Sequence, residues 1–280
     1  MSEDTKTIGP PGATARPVTA PPATAHPAAA RASALLILGY AAAAYGLFLA
    51  VLVYAVGFFA GYAVPRDIDD GVRSGWPLAV AIDLGLLALF AVQHTVMARP
   101  WFKRWLTRVV PGPAERATFV LGASLTLALL FWAWRPVGGV IWTLSGPAAA
   151  VLLAVQLAGW AVAISSTFMI SHFDLFGLRQ AWLHIRGTGD TPPAFTERGL
   201  YRRIRHPLMA GFVIVFWAAP VMTAGHLLFA AAATGYILAG IWFEERGLVR
   251  SLGPAYAAYR ASVPALIPGL PPRPSPGRQP

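Results

Sequence analysis

Of the 280 residues, 56% are hydrophobic and only 12% charged, about half the charged share of an ordinary soluble domain. That composition excludes a conventional soluble enzyme and points to a membrane protein, in which the formal charge of +10 records arginines that fix loop topology rather than a nucleic-acid partner. Cysteine is absent, which removes disulfides, thiolate zinc sites and any cysteine nucleophile.

Residues 1–31 are rich in Pro, Ala and Thr and carry few large apolar groups, so a disordered tail is expected there. It does not read as a signal peptide, because the apolar run that follows is far too long for an h-region. A Pro-rich tail is expected again over residues 269–280, leaving residues 32–268 as the transmembrane domain. Four apolar runs then follow one another: Ser33 to Phe59, Pro77 to Ala98, Ala117 to Trp134 and Pro147 to Ile170. Each approaches the ~20 residues that cross the hydrocarbon core as a helix.

The last apolar block, Pro207 to Phe243, is too long for one span. Pro220 and the turn Thr223 to His226 divide it into a helical hairpin whose first arm has about 15 residues, too few for an untilted span. The expected fold is an all-α polytopic membrane protein of five to six transmembrane helices ending in this hairpin. Loop charges alternate. The loop from Arg99 to Arg116 is basic, as is the loop from His172 to His206 with six arginines, whereas residues 61–75 and the Arg135 connection are not. The positive-inside rule therefore puts both termini and both basic loops in the cytoplasm.

Four constellations fall at that cytoplasmic side. The first is RRIRHP, with Arg202, Arg203, Arg205 and His206 before Pro207, a residue suited to a first helical position. These cations are either topogenic or an anion site at a helix start. The second is Glu244–Glu245, where negative charge opposes the helix dipole and calls for a cationic partner, unless both are simply solvated. The third is Gln93–His94 in the second apolar run, eleven residues after Asp83, polar groups of a kind that inside a span serve function or bond to a neighbouring helix. The fourth is SHFDLFGLRQ, gathering His172, Asp174, Arg179 and Gln180 just after Ser165, Ser166 and Thr167. The six histidines are irregularly spaced, and no metal site is expected.

RHPLMAG, followed by FEERGLVRSLGPAYAAYRASVPALIP, resembles the C-terminal signature of the integral-membrane methyltransferases that include the isoprenylcysteine carboxyl and phospholipid methyltransferases. Met209 stands where that signature usually has a tyrosine. VQHTVMARPWFKRW, SHFDLFGLRQAW and PVMTAGHLLFA are similar to the NnrU-like branch, and most closely to its bacterial methanethiol S-methyltransferases. The resemblance implies a bacterial inner-membrane enzyme that moves a methyl group from S-adenosylmethionine to a small apolar thiol such as methanethiol. It implies cofactor binding by Tyr201, Arg205, His206, Pro207, Gly211, Glu244 and Glu245. On the acceptor side it points to Gln93, His94, His172, Asp174, Arg179 and Gln180; because a thiol must react as its thiolate, either His94 or His172 is expected to be the base, with Arg179 supporting the thiolate. Alternatives are another methyl acceptor, or an NnrU-like accessory protein without methyl transfer.

Overall fold

A computed structural model describes residues 27–189 and 197–269. The expected tails fall almost wholly outside these residues, and the first helix already begins at Pro27. In chain order the elements are α1 (Pro27–Ala60), α2 (Trp76–Met97), α3 (Pro100–Leu106), α4 (Glu115–Ala133), β1 (Val140–Thr143) and α5 (Gly146–Ile170). The short α6 (His172–Leu175) and α7 (Leu178–Ile185) follow, then α8 (Pro207–Trp217), β2 (Val221–Thr223), α9 (Ala224–Leu252) and α10 (Pro254–Ser262). Proline occupies the first turn of α2, α3, α5, α8 and α10, where a missing N–H costs nothing. Thr223 caps α9 by accepting from the His226 N–H.

Among the described residues, five helices are long and apolar enough to cross a membrane: α1, α2, α4 with the turn before it, α5 and α9. Leu36, Val53, Val92, Trp132, Val151 and Leu238 point outward, which suits a lipid solvent and not water. Inside, Phe58, Phe59, Phe131, Trp134, Trp160, Phe216 and Phe229 form one aromatic core that ties α1, α4, α5, α8 and α9 together. Helix α5 packs along α8, and α4 lies between α1 and α2. The α5–α8 contact is a backbone contact. A Cβ on Gly211 would fall 2.6 Å from the Gly159 carbonyl oxygen, so only glycine lets the two helices approach this closely.

The helical part of the first hairpin arm is shorter than the arm of about 15 residues expected from the sequence. Helix α8 stops at Trp217, because Pro220 donates no N–H and disfavours helical geometry in the residue before it. Eleven helical residues rise about 16 Å, and the six that follow, running through β2, add up to about 20 Å if extended. Strand β2 pairs antiparallel with β1. The arm thus reaches the end of the bundle where α5 begins, as a sixth passage that is only partly helical.

Unwound backbone is tolerated at membrane depth only when protein satisfies it. Here Gln156 Nε2 donates to the Val215 carbonyl at 3.3 Å, and His226 Nε2 reaches the Phe216 carbonyl at 3.0 Å. Trp142 Nε1 donates to Ala219 O at 3.0 Å and Leu144 N to Pro220 O at 2.9 Å. Trp142 is therefore a latch on this arm. Asp83, fully buried, accepts the Arg135 N–H at 2.9 Å and belongs to the same end of the bundle.

Candidate functional site

At the opposite end, α8 begins beside the last turns of α9. Residues forty apart in sequence meet there. Glu245 Oε1 lies 2.7 Å from Arg205 Nε, 2.6 Å from Arg205 Nη2 and 3.1 Å from His206 Nε2. Its second oxygen faces Arg260 Nε at 3.4 Å. Arg205 Nη1 also donates to the carbonyls of Arg260 and Val263. Arg205, His206 and Glu245 are all buried. Sequence reasoning leaves Arg205 either topogenic or part of an anion site; the structure commits it to Glu245 and two carbonyls. Arg260 was not foreseen, since nothing near it in the chain marks it apart from the tyrosines beside it.

The chain after α9 closes over this cluster. Arg205 N and His206 N donate to the carbonyls of Pro264 and Ala265, which fixes residues 264–265 along the approach to α8. Tyr256 and Tyr259 are the buried residues of α10, and the Tyr259 hydroxyl donates to Tyr201 O at 2.6 Å. Burial pushes the phenols of Tyr256 and Tyr259 up to about 12 and raises that of Tyr201 as well, so all three stay neutral donors.

Glu244 is different from its neighbour. Its side chain is 47% exposed, and its ion-pair contact is His206 Nδ1 at 3.7 Å. Beside it, no side chain caps α8, whose N-cap is His206 and whose first residue is Pro207. The Leu208 and Met209 N–H groups therefore stand at the positive end of a helix dipole. A carboxylate and an anion-accepting helix start lie side by side, a pairing suited to a ligand that carries both charges. Of the remaining signature residues, Gly211 lies one turn deeper, where it serves the contact with α5.

Two further groups line the same end. His172 Nδ1 lies 2.7 Å from Thr167 Oγ1, and its Nε2 lies 2.7 Å from the Tyr45 hydroxyl. Thr167 gives its own proton to Ile164 O at 2.7 Å, so Nδ1 must donate and Nε2 must accept from Tyr45. The ring stacks on Phe168 at 4.0 Å, and burial holds its pKa below the ordinary histidine value. Tyr45, on α1, was missed because a tyrosine in an apolar helix gives no signal of its partner. Asp174 accepts from Arg179 Nη1 at 3.1 Å and Gln180 Nε2 at 2.9 Å, so these three form one network and Arg179 is not a free cation. Gly177 turns the chain between them with φ of 85°, where a Cβ would meet Ala117 N at 2.6 Å.

The second group sits on α2. Gln93 Nε2 contacts Met97 Sδ at 3.0 Å, and Thr126 Oγ1 donates to Gln93 Oε1 at 3.4 Å. His94 rests between Phe90 and Phe119, with ring centroids at 5.4 and 4.9 Å. Thr95 and Tyr236 join α2 to α9 at 3.1 Å.

No family model matches the chain. It is, however, 50% identical over 236 residues to methanethiol S-methyltransferase 2 of Bradyrhizobium diazoefficiens, covering 84% of this chain and 91% of that protein. It is 52% identical over 230 residues to methanethiol S-methyltransferase of Mycobacterium tuberculosis, covering 82% and 94%. More distantly, it shares 29% identity over 192 residues with nurim of Sus scrofa, covering 62% and 73%.

Proposed function

Because the chain belongs to the methanethiol S-methyltransferase family, we propose that it methylates methanethiol to dimethyl sulfide, with S-adenosylmethionine as donor, at the cytoplasmic face of a bacterial inner membrane. What carries the reading is 52% identity to such an enzyme over 94% of that enzyme's length. Six passages return both termini to one side, and the basic loops of α3 and of α6 to α8 favour the cytoplasm for that side.

The residues present suit the donor. Its amino-acid end pairs an ammonium with a carboxylate. Glu244 would take the ammonium, and the uncapped Leu208 and Met209 N–H groups the carboxylate. Arg205, His206, Glu245 and Arg260 act behind them, as a neutralised lattice that holds α8 and α9 together at a fixed distance. When bound, S-adenosylmethionine supplies an electrophilic methyl group. The protein's part is then orientation, exclusion of water and removal of the thiol proton, with no covalent intermediate on the enzyme. His94 and His172 are the two candidates for that proton. A small apolar thiol reaches the site from the lipid while the polar donor enters from the aqueous side.

Headspace gas chromatography of cells expressing the chain and fed methanethiol tests the proposal. Dimethyl sulfide is expected from the wild type and in much smaller amount from Glu244→Gln. If purified protein binds S-adenosylmethionine but yields no dimethyl sulfide, the acceptor is wrong; if it binds none, the reading falls.

A further inference from the structure

We propose that His94, and not His172, takes the proton from the thiol, an assignment that rests on the methyltransferase reading above. The two histidines are equivalent in sequence terms, each lying near the cytoplasmic end of an apolar run. Their surroundings are not equivalent.

His172 has both ring nitrogens engaged at 2.7 Å, one donating to Thr167 and one accepting from Tyr45. To take a proton at Nε2 it would have to lose the Tyr45 bond while stacked face to face on Phe168. This is the environment of a histidine that locks α1 to the end of α5. His94, by contrast, has a buried Nδ1 with no hydrogen-bond partner among the described residues. Two phenyl rings hold its imidazole. An unsatisfied polar group inside a span costs free energy, and an ionisable one there marks a functional-site candidate by default.

Position supports the assignment. Helices α2 and α9 run side by side in the same direction, since Thr95 meets Tyr236 at 3.1 Å and the Arg99 guanidinium lies 5.4 Å from the Phe243 ring centroid. His94 therefore stands at the level of Tyr236, eight residues or about 12 Å along the axis from Glu244. Phe90 and Phe119 make its surroundings apolar, and the adjacent Gln93 amide, bonded to Met97 Sδ, is the polar group next to it in the chain. A small thiol fits that chemistry, and a lipid headgroup or a peptide does not. In the reaction the S–H bond breaks with its proton passing to the imidazole. The sulfur's electron pair forms the new S–C bond. The donor departs as a neutral sulfide, keeping the pair of its broken C–S bond, and the imidazolium returns its proton to solvent.

The test compares methanethiol with methaneselenol, a stronger acid that is already ionised at neutral pH. Purified wild type, His94→Gln, His94→Asn and His172→Gln are assayed on both acceptors, with S-adenosylmethionine binding measured by calorimetry. For both His94 variants kcat/KM on methanethiol should fall about 100-fold or more. Methaneselenol turnover and cofactor affinity should stay within a few fold of wild type. His172→Gln should lose both acceptors in proportion. Equal losses on the two acceptors for the His94 variants would overturn the assignment, as would unchanged methanethiol turnover. Loss of cofactor binding in both variants would overturn it too, because His94 would then be holding structure. Failure of the wild type on methanethiol, with binding intact, would strike at the acceptor and not at the histidine.

Discussion

Glu244 and Glu245 are adjacent in sequence and alike in chemistry, yet the geometry gives them separate tasks, and a pair of isosteric substitutions should pull those tasks apart. Glu245→Gln removes the one carboxylate that faces Arg205, His206 and Arg260. Arg205, with its side chain only 7% exposed, would remain as an uncompensated buried cation. Breaking one side of such a pair costs about 3–5 kcal/mol. Glu244→Gln removes a half-exposed carboxylate whose ion-pair partner is a histidine at 3.7 Å, a contact worth about 1 kcal/mol or less. For the ligand the order reverses. A charge-assisted bond to an ammonium contributes about 1.5–3 kcal/mol, so Glu244→Gln should weaken S-adenosylmethionine binding by about 10- to 100-fold. Thermal unfolding in detergent reads the first effect, and calorimetric titration at a temperature where both variants are folded reads the second. Equal loss of thermal stability in the two variants would refute the division of labour. So would an unchanged dissociation constant in Glu244→Gln.

Three other outcomes are expected. Gly211→Ala should lower thermal stability by about 1–3 kcal/mol, since its Cβ would press on the Gly159 carbonyl and the Ala163 amide, backbone atoms that cannot swing aside. A thermal scan showing no change would mean that α5 and α8 slide apart freely. Gln156→Leu leaves the carbonyls of Phe59 and Val215 without their donor and should cost about 1–3 kcal/mol, read in the same scan. The third concerns pH. His172 has a depressed folded pKa, so its contribution is full above the unfolded value of about 6.5 and is lost as pH falls below it, because the unfolded chain then binds the proton that the fold resists. Stability should decline on acidification through that range, and His172→Asn should make the decline shallower; an identical slope would clear His172 of the effect.

Much of the fold is legible because its strongest determinant is local. Runs of twenty or so apolar residues specify spanning helices whatever surrounds them, and proline in the first turn marks where several begin. The return of the hairpin is legible from Pro220 and the glycine turn, and with it the meeting of RRIRHP and Glu244–Glu245. What was not legible depends on distant partners. Ala218 and Ala219 are as compatible with a helix as the residues before them; they leave it because Pro220 withholds an N–H and because Gln156, His226 and Trp142 satisfy the carbonyls so released. Arg260 and Tyr45 carry no signal in their own neighbourhoods. Equally hidden is whether Arg205 is free or paired, since an arginine near a helix start reads the same in both cases.

That pairing bears on how a membrane protein can hold a doubly charged ligand at all. A loose arrangement of arginine and glutamates at the mouth of a bundle would collapse onto itself, each charge neutralised by whichever neighbour it reached first. Here the collapse is already complete for Glu245, which takes Arg205, His206 and Arg260 and leaves Glu244, among the described residues, with a distant histidine as its ion-pair contact. On the proposed reading the ligand's carboxylate meets the dipole of α8, which cannot fold away to meet Glu244 because His206 and the carbonyls of Pro264 and Ala265 fix the position of its first turn. A fixed partial charge beside a supported carboxylate keeps its shape without a ligand, so little reorganisation is needed on binding. On this argument Arg205→Lys should damage binding chiefly through the fold. A point-charge ammonium cannot reproduce the fork that grips Glu245 and two carbonyls together, and thermal stability and cofactor affinity should fall in step. A large loss of affinity at undiminished stability would instead put the guanidinium on the ligand.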